Sequence, residues 1–481
     1  MGTESYDVIV IGAGPTGENI AERTAKGGLR TAIVENELIG GECSYWACVP
    51  SKAMLRPLEA LGAARSVAGA REAVSGGPDA QSVLKRRDSF VGDWKDDRQV
   101  EWLRRAKIDL HRGRGRLAGE RLVTVTAADG SATDLAAVHA VALCVGSKAA
   151  IPAIPGMDDA HPWTSRDATA ARKAPRRLAI LGGGVVGCEM ATAWKQLGAE
   201  EVTVVERGSR LLSGYEAFAG EAVRASLEEA GVRVLTGVRA HKVERAGGEP
   251  NGRVRLFLDG GVEVESDELL VAAGRAPRTE DLGLEHVGLR SGSWLDVDES
   301  MRVRAVPSGW LYAAGDVSGR ALLTHMGKYE ARIAGDAIVA RATTRGSLPE
   351  EGPWSRFAAT ATQAAVPQVV FTNPQVAAVG VTEEQARAAG IRARAVEYEI
   401  QHVTGAPLYA DGYRGRAKMV VDEDRKVVIG VTFVGPSVGE LIHAATIAIV
   451  GAVPLHRLWH AVPSFPTISE VWLRLLEAYG L

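Results

Sequence analysis

Tyr6-Asp7-Val8-Ile9-Val10-Ile11-Gly12-Ala13-Gly14-Pro15-Thr16-Gly17-Glu18 is the stretch on which the fold turns. The alternating, β-rich run over residues 6–11 predicts a central strand, which stops at glycines spaced Gly12-x-Gly14-x-x-Gly17. A helical pattern follows from Glu18, and a second strand is expected over residues 30–34, delivering Glu35. Glycine permits the tight turn and lets backbone approach a pyrophosphate closely, while the helix N-terminus faces the phosphates. The acid after the second strand accepts from a ribose hydroxyl. A glycine triplet alone would be weak evidence. Strand, triplet, helix, strand and acid in this order read as a dinucleotide-binding unit.

The unit recurs. Residues 177–181 read as a strand, Gly182-Gly183-Gly184-Val185-Val186-Gly187 as the loop, and residues 188–196 as the helix. Residues 201–205 form the second strand, ending at Glu206. The alternative for this copy is a glycine-rich turn without a ligand, but the acid recurs at the matching distance. Two copies imply two dinucleotides, which is what flavin-plus-nicotinamide chemistry needs.

Composition bounds the rest. The chain of 481 residues suggests about three domains, and 46% apolar with 24% charged content is that of a folded globular protein. Lys plus Arg number 56 against 59 Asp plus Glu, so electrostatics gives no reason to expect a nucleic acid or a membrane surface as partner. Neither a basic leader with a cleavage site nor a bilayer-length apolar stretch is visible, and a cytoplasmic protein is expected. Residues 441–454 come closest to a span and are expected to be a buried helix. Cys43, Cys48, Cys144 and Cys188 are too few for a secreted scaffold and lack zinc-site clustering, so no metal is expected. Cys144 and Cys188 read as small buried filler. Residues 64–88 suggest a helical excursion with a loose loop at Ser75-Gly76-Gly77-Pro78, and residues 343–365 a linker. Beyond it, strands are expected over 376–381, 394–400, 417–422 and 427–434, together with apolar helices.

The chemistry is concentrated in Gly40-Gly41-Glu42-Cys43-Ser44-Tyr45-Trp46-Ala47-Cys48-Val49-Pro50-Ser51-Lys52. Two cysteines on a helical turn at this spacing can meet on one face and close a disulfide. Pro50 and Ser51 suggest the first turn of a helix, whose macrodipole, with Lys52, would favour thiolate at Cys48. The alternative is a pair of buried thiols, and the position just after a flavin-type βαβ unit favours redox activity.

These motifs resemble the class I pyridine nucleotide–disulfide oxidoreductases, the family of dihydrolipoamide dehydrogenase, glutathione reductase and mercuric reductase. The similarity runs over nearly the full length, through Gly12-x-Gly14-x-x-Gly17, Gly41-x-Cys43-x4-Cys48-x-Pro50-Ser51-Lys52 and Gly182-x-Gly184-x-x-Gly187-x-Glu189. It continues through Gly274-Arg275-x-Pro277, Ala314-Gly315-Asp316, Phe371-Thr372-x-Pro374 and Val379-Gly380. The resemblance implies an α/β fold with two Rossmann-like domains, for FAD and for NAD(P)H, and a C-terminal α+β domain forming a homodimer interface. The implied bounds are 1–150 with 280–345 for the discontinuous FAD domain, 151–279 for the NAD(P) domain and 366–481 for the interface domain. The implied cofactor-binding residues are Gly12, Gly14, Gly17, Glu35, Gly41, Gly315, Asp316, Gly182, Gly184, Gly187, Glu206 and Gly274.

By the same resemblance, Cys48 lies against the flavin and receives electrons, and Cys43 is the outer thiol that exchanges with the acceptor. Lys52 sits near the flavin, paired with Glu189, and Asp316 holds the flavin. A cation there stabilises the reduced flavin, and a buried lysine needs a partner; the alternative is two solvated helix charges. Glu206 favours NADH, because a carboxylate repels a 2′-phosphate, while Arg207 and Arg210 keep NADPH possible.

One departure bears on the acceptor. Disulfide-reducing members carry His-Pro-Thr followed three residues later by an acid, and that His is the base, supplied across the dimer. Here Ser464-Phe465-Pro466-Thr467-Ile468-Ser469-Glu470 keeps the frame and the acid Glu470, a member of the expected catalytic set, but has Phe465 at the base position. A phenyl ring carries no proton, and losing a general base typically costs about two to four decades in rate. His443 and His460 are the nearby candidates to replace it, or else satisfied interface residues. The Ser44-Tyr45-Trp46-Ala47 insert is more aromatic than the family's usual filler and points to a changed face near the thiols. A small-molecule or protein disulfide is the first expected acceptor, with a quinone or Hg(II) next. Mercuric reductases also lack the His, but they usually add a C-terminal cysteine pair, and no cysteine follows Cys188 here. An alternative of another class is a non-catalytic, redox-responsive flavin-binding subunit, against which the set Cys43, Cys48, Lys52 and Glu189 argues.

Overall fold

The last four residues of the strand Glu4–Ile11 are buried, as the centre of a parallel sheet requires. The structure, a computed structural model, describes residues 3–248, 252–344 and 346–481; residue 345, within the expected linker, lies outside them. The chain divides into two units.

The first unit comprises Met1–Pro50, Asp88–Ala149 and Arg275–Gln363. Its parallel strands run in the order Asp109–Arg112, Thr31–Glu35, Glu4–Ile11, Ala132–Leu143, with Leu311–Ala313 also parallel to the last. Leu122–Thr126 and Arg114–Gly119 continue the sheet antiparallel. The register aligns carboxyl ends: Ile11 pairs with Val34 and Leu143, and Ala313 with Leu143. One edge therefore delivers Gly12, Glu35, Cys144 and Ala314-Gly315-Asp316, and this is the edge where open α/β sheets bind ligands. Helices Pro15–Lys26 and Thr324–Thr343 approach closely through glycines. A Cβ on Gly335 would lie 2.8 Å from Arg23 Cβ, and one on Gly27 would lie 2.4 Å from Val339 Cγ2.

The second unit comprises Ser51–Arg87, Ala150–Gly274 and Ala364–Leu481. It holds a parallel sheet in the order Val232–Thr236, Glu201–Glu206, Arg177–Leu181, Glu268–Val271. A three-stranded antiparallel sheet of Ala240–Arg245, Val254–Leu258 and Glu263–Ser266 accompanies it. The C-terminal part is an antiparallel sheet in the order Gln368–Val370, Gln375–Gly380, Val427–Gly435, Arg416–Asp422, Ala393–Glu399.

Two readings of the sequence differ from this. Residues 51–87, expected within the first nucleotide domain, share a core with the second: Met54, Leu58, Val83 and Leu84 cluster with Leu178, Trp194, Val370 and Val376. Burial of that apolar face decides the placement, and proximity in sequence conceals it. The expected buried helix over 441–454 is the shorter Ile442–Val450. It buries Ile442, Ala445 and Ala448 but leaves Ile447 57% exposed, so only one face of this apolar segment finds a partner within the chain. Cys144 and Cys188 are buried among apolar neighbours. No helix among the described residues is long and apolar enough to cross a membrane.

Candidate active site

Both glycine loops are built alike. Ala13 N donates to Glu35 Oε2 at 2.7 Å and Glu37 N to Oε1 at 2.8 Å. Gly183 N donates to Glu206 Oε2 and Gly208 N to Oε1, both at 2.6 Å. Each acid is thus fixed by its loop's second residue and by the residue two positions beyond itself. Burial pushes the Glu35 carboxyl above its usual range, and the N–H donors of Glu37 and Ala13 oppose the shift.

The outer glycines of each triplet are dictated by the chain itself. A Cβ on Gly12 would lie 2.5 Å from Cys144 O, and one on Gly17 1.9 Å from Gly12 O. In the second loop, a Cβ on Gly182 would lie 2.4 Å from Ala272 O, and one on Gly187 2.0 Å from Gly182 O. The middle glycines are under no such constraint. A Cβ on Gly184 meets nothing within 4 Å, and one on Gly14 meets only Gly41 Cα at 4.0 Å. Their φ values, −80° and −70°, suit any residue. The space left open at both positions, at the N-termini of helices Val185–Gln196 and Pro15–Lys26, fits a pyrophosphate held by helix N–H groups. Gly41 lies against the first loop, since its own Cβ would sit 2.8 Å from Gly14 Cα. Gly274, at φ +134°, passes its carbonyl to Ala150 N at 3.0 Å.

Asp316 Oδ2 accepts from Ser147 Oγ, and that hydroxyl accepts from Arg275 Nε at 2.8 Å. Arg275 and Arg278 each donate to the Glu42 carboxylate at 3.0 Å. A polar chain therefore joins Glu42, the neighbour of Cys43, to Asp316. Burial raises the Asp316 carboxyl above its usual range, opposed by the Ser147 hydroxyl and the Arg275 charge.

Cys43 and Cys48 do not share a helical turn as the sequence suggested. Cys43 lies in the short helix Gly41–Tyr45 and Cys48 opens the helix Cys48–Arg65, with a break at Trp46 and Ala47. Tyr45 turns inward before this break, buried, and its hydroxyl donates to Ile39 O at 3.1 Å. That part of the aromatic insert is core packing, not a face beside the thiols. Cys48 Sγ lies 3.3 Å from Oγ1 of Thr324, the first residue of the helix Thr324–Thr343, so the sulfur meets two helix starts. Lys52 Nζ lies 2.6 Å from Glu189 Oε2, whose other oxygen accepts from Phe371 N at 3.0 Å. The ammonium also sits 4.9 Å from the centroid of the Phe371 ring.

At the C-terminus, Glu470 is buried and its Oε1 accepts from Arg474 Nη2 at 2.6 Å. Phe465 is 73% exposed, and His443 and His460 are exposed as well. The acid kept in the Ser464–Glu470 frame is here engaged by Arg474. Among the described residues no group of three His, Cys, Asp or Glu side chains is arranged to hold a metal ion. Sequence reasoning missed Arg275 and Arg278 as partners of Glu42, as well as Thr324, Glu330 and Arg474. Only Arg474, four residues after Glu470 on a helix, carried a visible signal.

Residues 6–335 match the pyridine nucleotide-disulphide oxidoreductase family, and residues 366–475 match its dimerisation domain. The chain belongs to the pyridine nucleotide-disulphide oxidoreductases. It is 33% identical over 474 residues to dihydrolipoyl dehydrogenase 3 of Pseudomonas aeruginosa, covering 97% of this chain and 96% of that one. It is 30% identical over 468 residues to mercuric reductase of Staphylococcus aureus, covering 97% and 81%. Among solved structures, LpdA from Mycobacterium tuberculosis aligns with a TM-score of 0.82 at 25% identity, covering 100% of both chains. The Cu(II) complex of the HOCl-induced flavoprotein disulfide reductase RclA from Escherichia coli has the same fold, with a TM-score of 0.82 at 22% identity over 99% of both chains. Like its family, this oxidoreductase is a FAD-dependent enzyme with NAD(P)H as electron donor. The open positions at Gly14 and Gly184 fit these two dinucleotides.

Proposed function

We propose that this oxidoreductase, as a homodimer, passes electrons from NADH through FAD to the Cys43–Cys48 pair and on to a disulfide-type acceptor. Bound FAD supplies the conversion of a hydride from the nicotinamide into an electron pair for sulfur. The chain's own residues do the rest. Gly12, Gly14 and Gly17, with Gly41, seat the FAD pyrophosphate, and Glu35 accepts from a ribose hydroxyl. Gly182, Gly184, Gly187 and Gly274 serve the nicotinamide dinucleotide in the same way. Glu206 repels a 2′-phosphate and Arg210 is committed to the Leu212 and Ser213 carbonyls at 3.1 and 2.8 Å, which leaves the exposed Arg207 as the one remaining phosphate candidate of the pair, and NADH is the expected donor.

The observation that carries this reading is Cys48 Sγ 3.3 Å from Thr324 Oγ1, at the start of helices 18 and 20 residues long. Two helix N-termini, with the Thr324 hydroxyl within reach to donate to a sulfur anion, favour a thiolate there. In the reduced enzyme the Cys43 thiolate attacks one sulfur of the acceptor disulfide. A mixed disulfide forms and the other sulfur leaves as a thiolate, which takes a proton from solvent because Phe465 has none to give. Cys48 then attacks Cys43 Sγ, closing the Cys43–Cys48 disulfide and releasing the second acceptor thiol. Two electrons pass from the dithiol to the acceptor.

A second reading, reduction of a soft metal ion by the same thiols, is favoured by Phe465, since metal–thiolate chemistry needs no base. Two relatives are named mercuric reductases. Turnover with a panel of disulfides, Hg(II) and quinones under NADH separates these readings, alongside Cys43→Ser and Cys48→Ser. Disulfide turnover abolished by either substitution supports the first. Quinone turnover that survives both, with no disulfide turnover by the wild type, refutes it.

A further inference from the structure

We propose that Glu330 is a positioning residue for the cofactor turn, its buried carboxyl holding Gly315-Asp316 in the conformation that FAD binding requires. Glu330 lies on the helix Thr324–Thr343, outside every motif of the sequence, and is 0% exposed. Its Oε2 accepts from Gly315 N at 2.7 Å, and the Ser318 hydroxyl and the Arg320 charge act on the same carboxyl.

The turn it grips is unusual. Gly315 has φ +77° and ψ −155°, a combination essentially confined to glycine that persists only where the surroundings enforce it. A Cβ on Gly315 would lie 2.7 Å from Thr16 Oγ1, and one on Gly327 would lie 2.5 Å from the same atom and 3.2 Å from Gly315 Cα. Thr16, inside the first glycine loop, is therefore wedged between the turn and the helix that carries Glu330. Ser147 holds the far side of the turn through Asp316. Without the Glu330 carboxyl, the Gly315 N–H would be buried and unpaired, and the most permissive residue in the turn would be free to rotate.

A fully buried carboxyl is a poor choice for the core alone, where an apolar side chain would pack without desolvating a polar group. Its placement at this one N–H points to a role in the turn. Burial pushes the Glu330 carboxyl up to about 7, against the opposing pull of the Gly315 N–H and the Arg320 charge, so a neutral acid is accessible beside the second carboxyl, Asp316.

The inference rests on the reading that Asp316 contacts FAD. The test is FAD binding by stripped full-length protein, followed by flavin fluorescence, with thermal unfolding of the flavin-free protein measured in parallel. Glu330→Gln keeps an acceptor for Gly315 N–H and is expected to bind FAD within about threefold of wild type. Glu330→Asp withdraws the carboxyl by one methylene, and Glu330→Ala removes it. Both are expected to weaken FAD binding at least tenfold, while the flavin-free Glu330→Asp protein still unfolds in one cooperative transition, at a temperature lowered by the unpaired Gly315 N–H. Wild-type affinity in a folded Glu330→Asp would overturn the inference, and so would failure of both Asp and Ala variants to fold, which would make Glu330 a core residue. A wild-type protein that takes up no FAD, or an Asp316→Ala variant that binds it normally, would instead sink the reading of Asp316.

Discussion

Glu189 engages Lys52 with one oxygen and the Phe371 backbone with the other, and its side chain is only 4% exposed. The pair is asymmetric, because Lys52 keeps 35% of its side-chain exposure and can still be hydrated when its partner is lost. Glu189→Ala is therefore expected to cost about 1–3 kcal/mol, mostly from the unpaired Phe371 N–H and the loss of a charge-assisted bond. Glu189→Gln should cost less, because an amide oxygen can still accept from Phe371 N. Urea unfolding of the two variants gives the comparison. Equal stability of Ala and wild type would show the contact to be incidental.

Glu206 should set the choice of nicotinamide. Its carboxylate is aimed by Gly183 N and Gly208 N, so it cannot swing away from a 2′-phosphate without losing both bonds. Wild-type kcat/KM with NADH is expected to exceed that with NADPH by about tenfold or more, in line with one charge-assisted hydrogen bond gained or lost. Glu206→Gln should narrow the ratio by raising activity with NADPH. A wild type that prefers NADPH would refute the assignment.

Glu330 predicts a pH dependence of stability in the flavin-free protein. Its carboxyl stands at about 7 in the folded chain against 4.5 ordinarily, so the folded state holds this proton more tightly than the unfolded one. The contribution is present in full below about 4.5 and is lost as pH rises through about 7. Glu330→Gln does not titrate. The unfolding free energy of wild type minus that of Glu330→Gln should fall by about 3 kcal/mol between those limits. Taking the difference cancels Glu18, which burial also pushes up to about 7. A flat difference curve would contradict the burial of an ionisable group at this position.

Much of this was legible in the sequence, for reasons that differ by position. The two fingerprints are local: glycine spacing and strand period settle them within about thirty residues, and the structure repeats the same carboxylate clamp at Glu35 and Glu206. The contacts of Arg275 with Glu42 and of Glu330 with Gly315 were not legible, because hydrogen bonds to a distant carboxylate or to a backbone N–H leave no periodic trace. The break between Cys43 and Cys48 was also hidden. Helical spacing places both on one element, whereas the first helix ends at Tyr45 and a second begins at Cys48. The apolar run over 441–454 suggests a buried helix, but composition does not reveal which of its faces has a partner within the chain.

That face yields a prediction about assembly. Ile447 is 57% and Val462 85% exposed in a segment matching the family's dimerisation domain. In a segment that matches a dimerisation domain, these side chains are the apolar surface a partner subunit is expected to cover. Ile447→Asp is expected to shift the protein toward monomer in sedimentation at micromolar concentration, with little change in the stability of the chain itself. A wild type that sediments as a monomer would rule out the interface.

Phe465 offers the sharpest test of the acceptor. If the enzyme reduces disulfides without a protein base, the step held back is protonation of the leaving thiolate, and Phe465→His should restore a group able to do it. The full gain from a general base is about two to four decades, but here Glu470 Oε1 already accepts from Arg474 at 2.6 Å, so the orienting acid is only half available. Phe465→His is therefore expected to raise disulfide turnover by about tenfold to a hundredfold, short of the full effect. Adding Arg474→Gln, which releases the carboxylate, should raise it further. The gain should appear as a new limb in the pH profile of kcat/KM near the ordinary histidine value of about 6.5, absent from the wild type. Quinone reduction needs no thiolate leaving group and should not change. If the histidine variant leaves disulfide turnover untouched, proton transfer at this position does not limit the reaction, and an acceptor that needs no base becomes the better reading.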